Sequence, residues 1–289
     1  MDALSCALFP SPCTLCGSPL PELSFVPICA ACWREFPLQS GPVCNRCGDT
    51  LDLPPSSSAD PALCRTCRAA PPPFVRAVAF GLYEGRMKAA IHAFKYDRMH
   101  PAARRLSEML AHAIAQLAPD APAELLVVPV PLHRAKQAQR GFNQARLLAE
   151  GSLRSLRHTH PGWKLTLAPT TLMRLRATES QAGLTVRQRR LNVRGAFTVS
   201  HPAVVAGKDV LLIDDIFTTG ATARAAGSAL RRAGAASVWV ATLARARRTC
   251  DVSELGWIPP EENLGLSTHA FTGELQHAIQ HSSQDQPSF

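Results

Sequence analysis

The run Val210 to Thr222, Val-Leu-Leu-Ile-Asp-Asp-Ile-Phe-Thr-Thr-Gly-Ala-Thr, sets two adjacent carboxylates between an apolar stretch and a turn of small hydroxyl residues. The four apolar residues Val210 to Ile213 suit a buried strand, which leaves Asp214 and Asp215 at its carboxyl end. Ala223, Ala226, Gly227 and Leu230 then recur at helical spacing and predict a helix over 221–233. Parallel α/β sheets bind ligands at that edge, where strands end and helices begin. The backbone N–H groups of Phe217, Thr218, Thr219, Gly220, Ala221 and Thr222 can wrap a phosphate, helped by the threonine hydroxyls and the helix N-terminus. Gly220 allows backbone to come close to such a ligand. Asp214 and Asp215 can accept from two ribose hydroxyls or hold a hydrated Mg²⁺. No lysine follows Gly220, which excludes a Walker phosphate loop.

A second chemistry is written in sulfur. Eight of the ten cysteines form four Cys-x-x-Cys pairs: Cys13/Cys16, Cys29/Cys32, Cys44/Cys47 and Cys64/Cys67. Two pairs supply four thiolates on a tetrahedron, a closed structural Zn²⁺ site with no open position for catalysis. Glycine follows Cys16 and Cys47 but neither Cys32 nor Cys67, so a knuckle with glycine precedes one without it, twice. This order favours two consecutive ribbons, Cys13 to Cys32 and Cys44 to Cys67. An interleaved arrangement, with the first knuckle paired to the third, stays open, because spacing alone does not fix ligand pairing. A disulfide scaffold needs an oxidising compartment, and Met1-Asp2-Ala3-Leu4 shows no secretory signal. A thioredoxin-like redox pair explains one motif rather than four. Cys6 and Cys250 remain as ordinary thiols.

The segment Val210 to Thr222 resembles the phosphoribosyl pyrophosphate (PRPP) signature of type I phosphoribosyltransferases at every position: apolar strand, two acids, two spacers, then Thr-Thr-Gly-Ala-Thr. The rest of the chain must position it. Residues 69–73 make a proline-rich linker; Phe74 to Phe80 reads as a strand; Met87, Ala90, Ile91 and Phe94 mark a helix face, with Lys88, His92 and Lys95 beside it. A helix is expected from Pro101 to about Ala118, a strand at Leu125 to Val130, a loop, and a helix from about Asn143 to Leu156. One or two short strands fall within Leu165 to Leu175, an arginine-rich mobile loop at Thr178 to Arg190, and a last strand at Ser237 to Leu243. Strands alternating with helices argue for an α/β fold with a parallel sheet and helices on both faces, plus a small N-terminal zinc-ribbon module; the resemblance implies that the sheet is type I phosphoribosyltransferase-like. The boundaries expected are 1–70 for the double zinc ribbon, 74–250 for the phosphoribosyltransferase-like domain and 251–289 for an acidic, partly disordered tail.

At 289 residues the chain has room for one substantial domain and a small module, and no stretch approaches the ~20 apolar residues of a membrane helix, so a cytoplasmic protein is expected. The formal charge of +9 is unevenly spread. Residues 1–75 hold six acids against four bases, and residues 251–289 hold six acids and no lysine or arginine. Residues 134–194 carry thirteen Lys/Arg against Glu150 and Glu179. That field favours polyanions: pyrophosphate, nucleotides or a nucleic-acid backbone. Aromatic content of 6% argues against an extended stacking platform, so any contact with single-stranded DNA is expected to be electrostatic, with Tyr83, Tyr96 or Phe142 as stacking partners.

With the PRPP signature stand Pro129-Val-Pro-Leu132, Arg140-Gly-Phe-Asn-Gln144, Tyr83, Lys88, Lys95-Tyr96, a stretch around Gln181 with Arg187, Arg190, Asn192 and Gly195-Ala-Phe197, and the N-terminal knuckles. In this order they resemble the ComF family of ComFC- and GntX-like proteins over about residues 10–247. The resemblance implies a type I phosphoribosyltransferase fold with a zinc module where many relatives carry a nucleobase-binding hood. It also implies a place among the competence or DNA-uptake machinery, handling single-stranded DNA in transformation or using DNA as a nutrient. If the protein is an enzyme, PRPP lays its 5′-phosphate in Thr218 to Thr222 and its ribose over Asp214 and Asp215, with Mg²⁺ bridging. His133, Arg134 and Arg140 are then candidates for the pyrophosphate loop, and Arg187, Arg189 or Arg190 for closing over the leaving group. Arg140 equally suits packing on the following helix through its stem. The alternatives are a transferase that moves ribose phosphate to a small base or amine, and a protein that binds PRPP or a nucleotide without turnover. No segment supplies an evident acceptor site.

Overall fold

The computed structural model describes residues 12–20, 26–51, 62–96, 101–176 and 185–247, all within one compact unit spanning Met1–Arg248. The expectations for the tail after Cys250, for Cys6 and for Thr178 to Leu184 lie outside these residues.

The second knuckle of each cysteine set opens one short helix, α1 (Ala30–Arg34), with Cys29 at its N-cap and Cys32 within it, and α2 (Arg65–Ala69), with Cys64 at its N-cap and Cys67 within it. Next come β1 (Ala77–Leu82), α3 (Gly85–Tyr96), α4 (Ala102–Ala115), β2 (Glu124–Pro129), α5 (Arg134–Arg140), α6 (Gln144–Thr159) and β3 (Lys164–Leu167). The rest is β4 (Leu172–Arg174), α7 (Val186–Val193), β5 (Phe197–Val199), α8 (Pro202–Val205), β6 (Asp209–Phe217), α9 (Ala221–Arg232) and β7 (Ser237–Arg245). Five strands form one parallel sheet in the order β1-β7-β6-β2-β3, and β4 and β5 pair antiparallel beside it. With β7 on one side and β2 on the other, β6 carries the acid pair near the middle of the sheet.

Alternation along the strands divides the core in two. Leu125, Val127, Leu211, Ile213, Trp239 and Ala241 pack with α3, α4 and α6. Val128, Val210, Leu212, Val238 and Val240 pack with α9 and the β4–β5 side. Because successive side chains of a strand point to opposite faces, near-continuous apolar runs such as Val210 to Ile213 can be buried only in a sheet covered on both sides. The cysteine module follows the same division. Trp33 and Phe36 join the α3–α4 face, whereas Cys44, Cys47 and Cys67 join the α9 face. Among the described residues no helix is long and apolar enough to cross a membrane.

Three local expectations are corrected. β6 does not stop at Ile213 but continues through both acids to Phe217, paired with β7 as far as Arg245. The segment after β2 is not a plain loop: Arg134 to Arg140 form α5, capped by the His133 ring, whose Nδ1 accepts from the Ala135 N–H at 3.3 Å, and closed by Gly141 at φ 81°. Finally, the described part of the arginine-rich loop is helical. Thr185 and Gln188 make a reciprocal capping box, with the Thr185 Oγ1 accepting from the Gln188 N–H at 3.3 Å, and α7 follows.

Candidate functional site

The acids of β6 sit where its facing pattern changes. Up to Ile213 odd residues face α3 and α4; beyond the acids Ile216 packs with that face and Phe217 with the opposite one. The Asp215 backbone N–H donates to Asp214 Oδ1 at 2.9 Å, which fixes the two carboxylates relative to each other. Asp215 is 5% exposed and forms an ion pair with Lys95 near the end of α3. Burial pulls the Lys95 ammonium toward its neutral form, but the carboxylate of Asp215, and behind it Asp214, hold it above its ordinary value. Burial, reinforced by the charge of Asp215, pushes the Asp214 carboxyl up to about 8. The two acids therefore differ: Asp215 is paired with Lys95, while Asp214 retains a proton near neutrality.

The turn after β6 is built for close quarters. Gly220 adopts φ 74° and N-caps α9, and a Cβ there would lie 2.6 Å from Cζ of Phe217. Glycine is thus demanded by the left-handed backbone and by the ring beneath it, a reason internal to the fold that the sequence alone attributes to a ligand. The Ala221 N–H donates to Thr219 Oγ1 at 3.4 Å. Thr218 and Thr222 are half-buried at the start of the twelve-residue α9, where helix N–H groups and the helix dipole attract anions.

Cations gather around the acids. Burial lowers the Lys136 ammonium below its ordinary value, and the charges of Arg174, Arg140 and Lys95 push it down further. Burial likewise lowers Arg174, on β4, against the attraction of Asp214. The Arg140 guanidinium lies 5.0 Å from the centre of the Tyr96 ring, and its Nη1 donates to Gln144 Oε1 at 2.6 Å, which ties α5 to the start of α6. Asn143 caps α6 and donates to the Val130 carbonyl at 3.1 Å, anchoring the same connection to the end of β2.

Of the residues singled out from sequence, the structure brings together Asp214, Asp215, Phe217 and the turn Thr218 to Thr222. Arg140 stands with Lys95 and Lys136, His133 acts as a helix cap, and Arg134 is exposed on α5. Arg187 is exposed and Arg189 half-buried on α7, and no described contact joins either to the acids; the Arg190 backbone lies in the same helix. Sequence reasoning missed Lys95, Lys136 and Arg174 as site residues. For Lys95 the signal was present, in its place on a stripe beside an apolar helix face; Arg174 reaches the acids only through tertiary packing. The carboxylate oxygens of Asp214 and Asp215 are hard donors of the kind Mg²⁺ prefers, so they fit that ion.

The eight cysteines form two tetrads, Cys13/Cys16/Cys29/Cys32 and Cys44/Cys47/Cys64/Cys67, with the sulfurs of each within 4.8 Å of one another. The consecutive pairing holds. Sulfur separations are 3.7 Å for Cys13 to Cys32, 3.8 Å for Cys16 to Cys29 and 3.7 Å for Cys47 to Cys64. Tetrahedral zinc with Zn–S near 2.3 Å requires sulfurs about 3.8 Å apart, and a disulfide about 2 Å. Gly17 and Gly48 have φ 74° and 69°, and their N–H groups return to the Cys13 and Cys44 carbonyls at 2.8 Å each, which closes both knuckles. Burial pushes the Cys32 thiol up, and hydrogen bonds with Cys44 and Cys47 push Cys67 up, so without a cation the sulfurs cannot all be charged. Both tetrads fit Zn²⁺.

The fold and these sites define a phosphoribosyltransferase-like α/β domain joined to a double zinc ribbon. Residues 165–257 match the model of the phosphoribosyl transferase domain, and residues 4–68 match that of the double zinc ribbon domain. The chain is 33% identical over 238 residues to the DNA utilization protein YhgH of Escherichia coli K12, covering 82% of this chain and 97% of that protein. It is 28% identical over 222 residues to competence protein F of Haemophilus influenzae, covering 76% and 90%. Identity to the competence protein ComFC of Bacillus subtilis is 28% over 225 residues, covering 75% and 84%. The chain belongs to the ComF family.

Proposed function

We propose that the protein binds PRPP with Mg²⁺ at the β6–α9 turn and acts, as the names of its relatives indicate for them, in DNA uptake or DNA utilisation, on single-stranded DNA. One observation carries the ligand reading. Two carboxylates near the end of a central parallel strand lead, through Phe217 and a glycine-hinged turn, into a helix N-terminus, with Lys95 and Arg174 acting on the acids and Lys136 and Arg140 in the same group of cations. A sugar bearing a 5′-phosphate and a pyrophosphate matches this layout: phosphate on the turn, ribose hydroxyls and Mg²⁺ at Asp214 and Asp215, pyrophosphate toward the cations. Mg²⁺ would supply charge neutralisation of the pyrophosphate, and Asp214 and Asp215 are the residues that would hold it. Arg187 and Arg189 carry positive charge along α7, where a nucleic-acid backbone can follow it. A cytoplasmic setting suits the reduced thiolates that zinc requires.

Calorimetry with PRPP and Mg²⁺ tests the site. Wild type should bind, and the double variant Asp214→Asn, Asp215→Asn should not; equal affinity in both removes the assignment. Pyrophosphate release measured against a panel of bases and amines separates a transferase from a protein that binds PRPP without turnover.

A further inference from the structure

Among the described residues the two ribbons meet the sheet on opposite sides, and the second shares its side with residues of the phosphate turn. The first tetrad joins the α3–α4 face, where the Arg105 guanidinium stands 4.9 Å from the centre of the Trp33 ring. The second joins the α9 face together with Phe74, Phe217 and Ala221. Its knuckle lies against β1: the Ala77 N–H donates to the Arg46 carbonyl at 2.8 Å, and a Cβ on Gly48 would come within 2.8 Å of the Ala77 carbonyl oxygen.

Arg245, the last residue of β7, links this knuckle to the turn. It is 2% exposed. Its Nη2 lies 3.1 Å from Asp49 Oδ1, and Nε donates to the same oxygen at 3.3 Å. Nη2 also donates to Cys47 Sγ at 3.6 Å, and Nη1 to the Cys47 carbonyl. The guanidinium carbon stands 4.6 Å from the centre of the Phe217 ring, the ring that fills the space beneath Gly220. Phe74 meets Phe217 edge-on at 6.1 Å. Metal ligand, buried guanidinium, aromatic ring and phosphate turn are thus in unbroken contact.

We propose that Arg245 is a positioning residue that makes the metal of the second tetrad a condition for an ordered phosphate turn, whereas the metal of the first tetrad is not. This rests on the PRPP reading for its ligand, but the coupling itself concerns the turn alone. Metal at Cys44, Cys47, Cys64 and Cys67 fixes the Cys47 carbonyl and sulfur as acceptors for Arg245. Without it the knuckle loosens, a buried guanidinium loses partners it cannot replace, and Arg245 shifts away from Phe217. The ring then no longer holds the backbone of Phe217 to Gly220 in place.

The test uses the full-length protein, with zinc by elemental analysis, amide hydrogen exchange over residues 217–223, and PRPP·Mg²⁺ affinity by calorimetry. Wild type should hold one zinc for each of the two tetrads. Cys64→Ser should lose one zinc, speed exchange in the turn and weaken PRPP binding, each by about tenfold or more beyond the effect of Cys16→Ser. The double variant Arg245→Met, Asp49→Asn leaves no orphaned charge; it should keep both zincs yet reproduce the turn phenotype of Cys64→Ser. Arg245→Lys keeps a counter-charge for Asp49 without the planar fork, and should not rescue. Equal loosening by Cys16→Ser and Cys64→Ser, or wild-type exchange in the double variant at full zinc content, overturns the proposal. Exchange needs no ligand, so a wild type that ignores PRPP counts against the ligand reading while the exchange contrast still decides the coupling. Should Cys64→Ser fail to fold, the double variant decides.

Discussion

The proton on Asp214 gives PRPP binding a pH dependence with a definite sign. Burial and the neighbouring Asp215 charge raise its carboxyl to about 8, far above the ordinary aspartate value, so the ligand-free protein keeps a proton there that Mg²⁺ must displace. The ionised fraction is then roughly a tenth at pH 7 and about three quarters at pH 8.5, so apparent affinity should rise about eightfold between them, or ~1.2 kcal/mol. The second ionisation of a phosphate lies near pH 6 and is almost complete across this window, so the slope reports the protein. Calorimetry in two buffers of different protonation heat should show close to one proton released on binding at pH 7. Asp214→Asn mimics the protonated acid and should bind weakly with no slope. Flat affinity from pH 7 to 8.5, or the same slope in Asp214→Asn, refutes the argument. The same proton acts on stability in the opposite direction. The native state holds it where the unfolded chain has lost it, so this contribution is complete below about pH 4 and is lost as pH rises through about 8.

Lys95→Met leaves the buried Asp215 without its partner and should cost about 3–5 kcal/mol in urea unfolding, while Lys95→Met with Asp215→Asn should recover much of that; a single-variant cost under about 1 kcal/mol denies the pair a structural role. For single-stranded DNA, affinity should fall steeply with salt, and reversing the charges at Arg187, Arg189 and Arg190 should flatten the log–log slope by about 0.7 for each phosphate that the variant no longer neutralises. An unchanged slope moves the DNA surface away from α7.

What could be read from sequence was what depends on local spacing. The acid pair, the glycine turn and the knuckles are each contiguous or nearly so, and both tetrads formed with the consecutive pairing that the glycine order favoured. The helices α5 and α7 were missed because neither carries an apolar periodicity. Arg-Ala-Lys-Gln-Ala-Gln-Arg is a run of strong helix formers closed by a glycine, and Thr185 to Gln188 is a capping box, signals that concern propensity and ends rather than a buried face. Lys95 and Arg174 escaped assignment because their roles are set by residues more than a hundred and about forty positions away.

The pair of acids draws its cations from distant segments. Asp215 is met directly by Lys95 from α3, whose charge also reaches Asp214, and Asp214 attracts Arg174 from β4. The two matches are unequal. Asp215 forms a direct ion pair, whereas burial and its neighbour raise the Asp214 carboxyl to about 8. An arriving Mg²⁺ would therefore have to displace the proton of Asp214. β4, which carries Arg174, packs on the same side of the sheet as the second ribbon, which Arg245 links to the strand end. Metal binding in that ribbon would therefore stiffen the side from which Arg174 reaches Asp214.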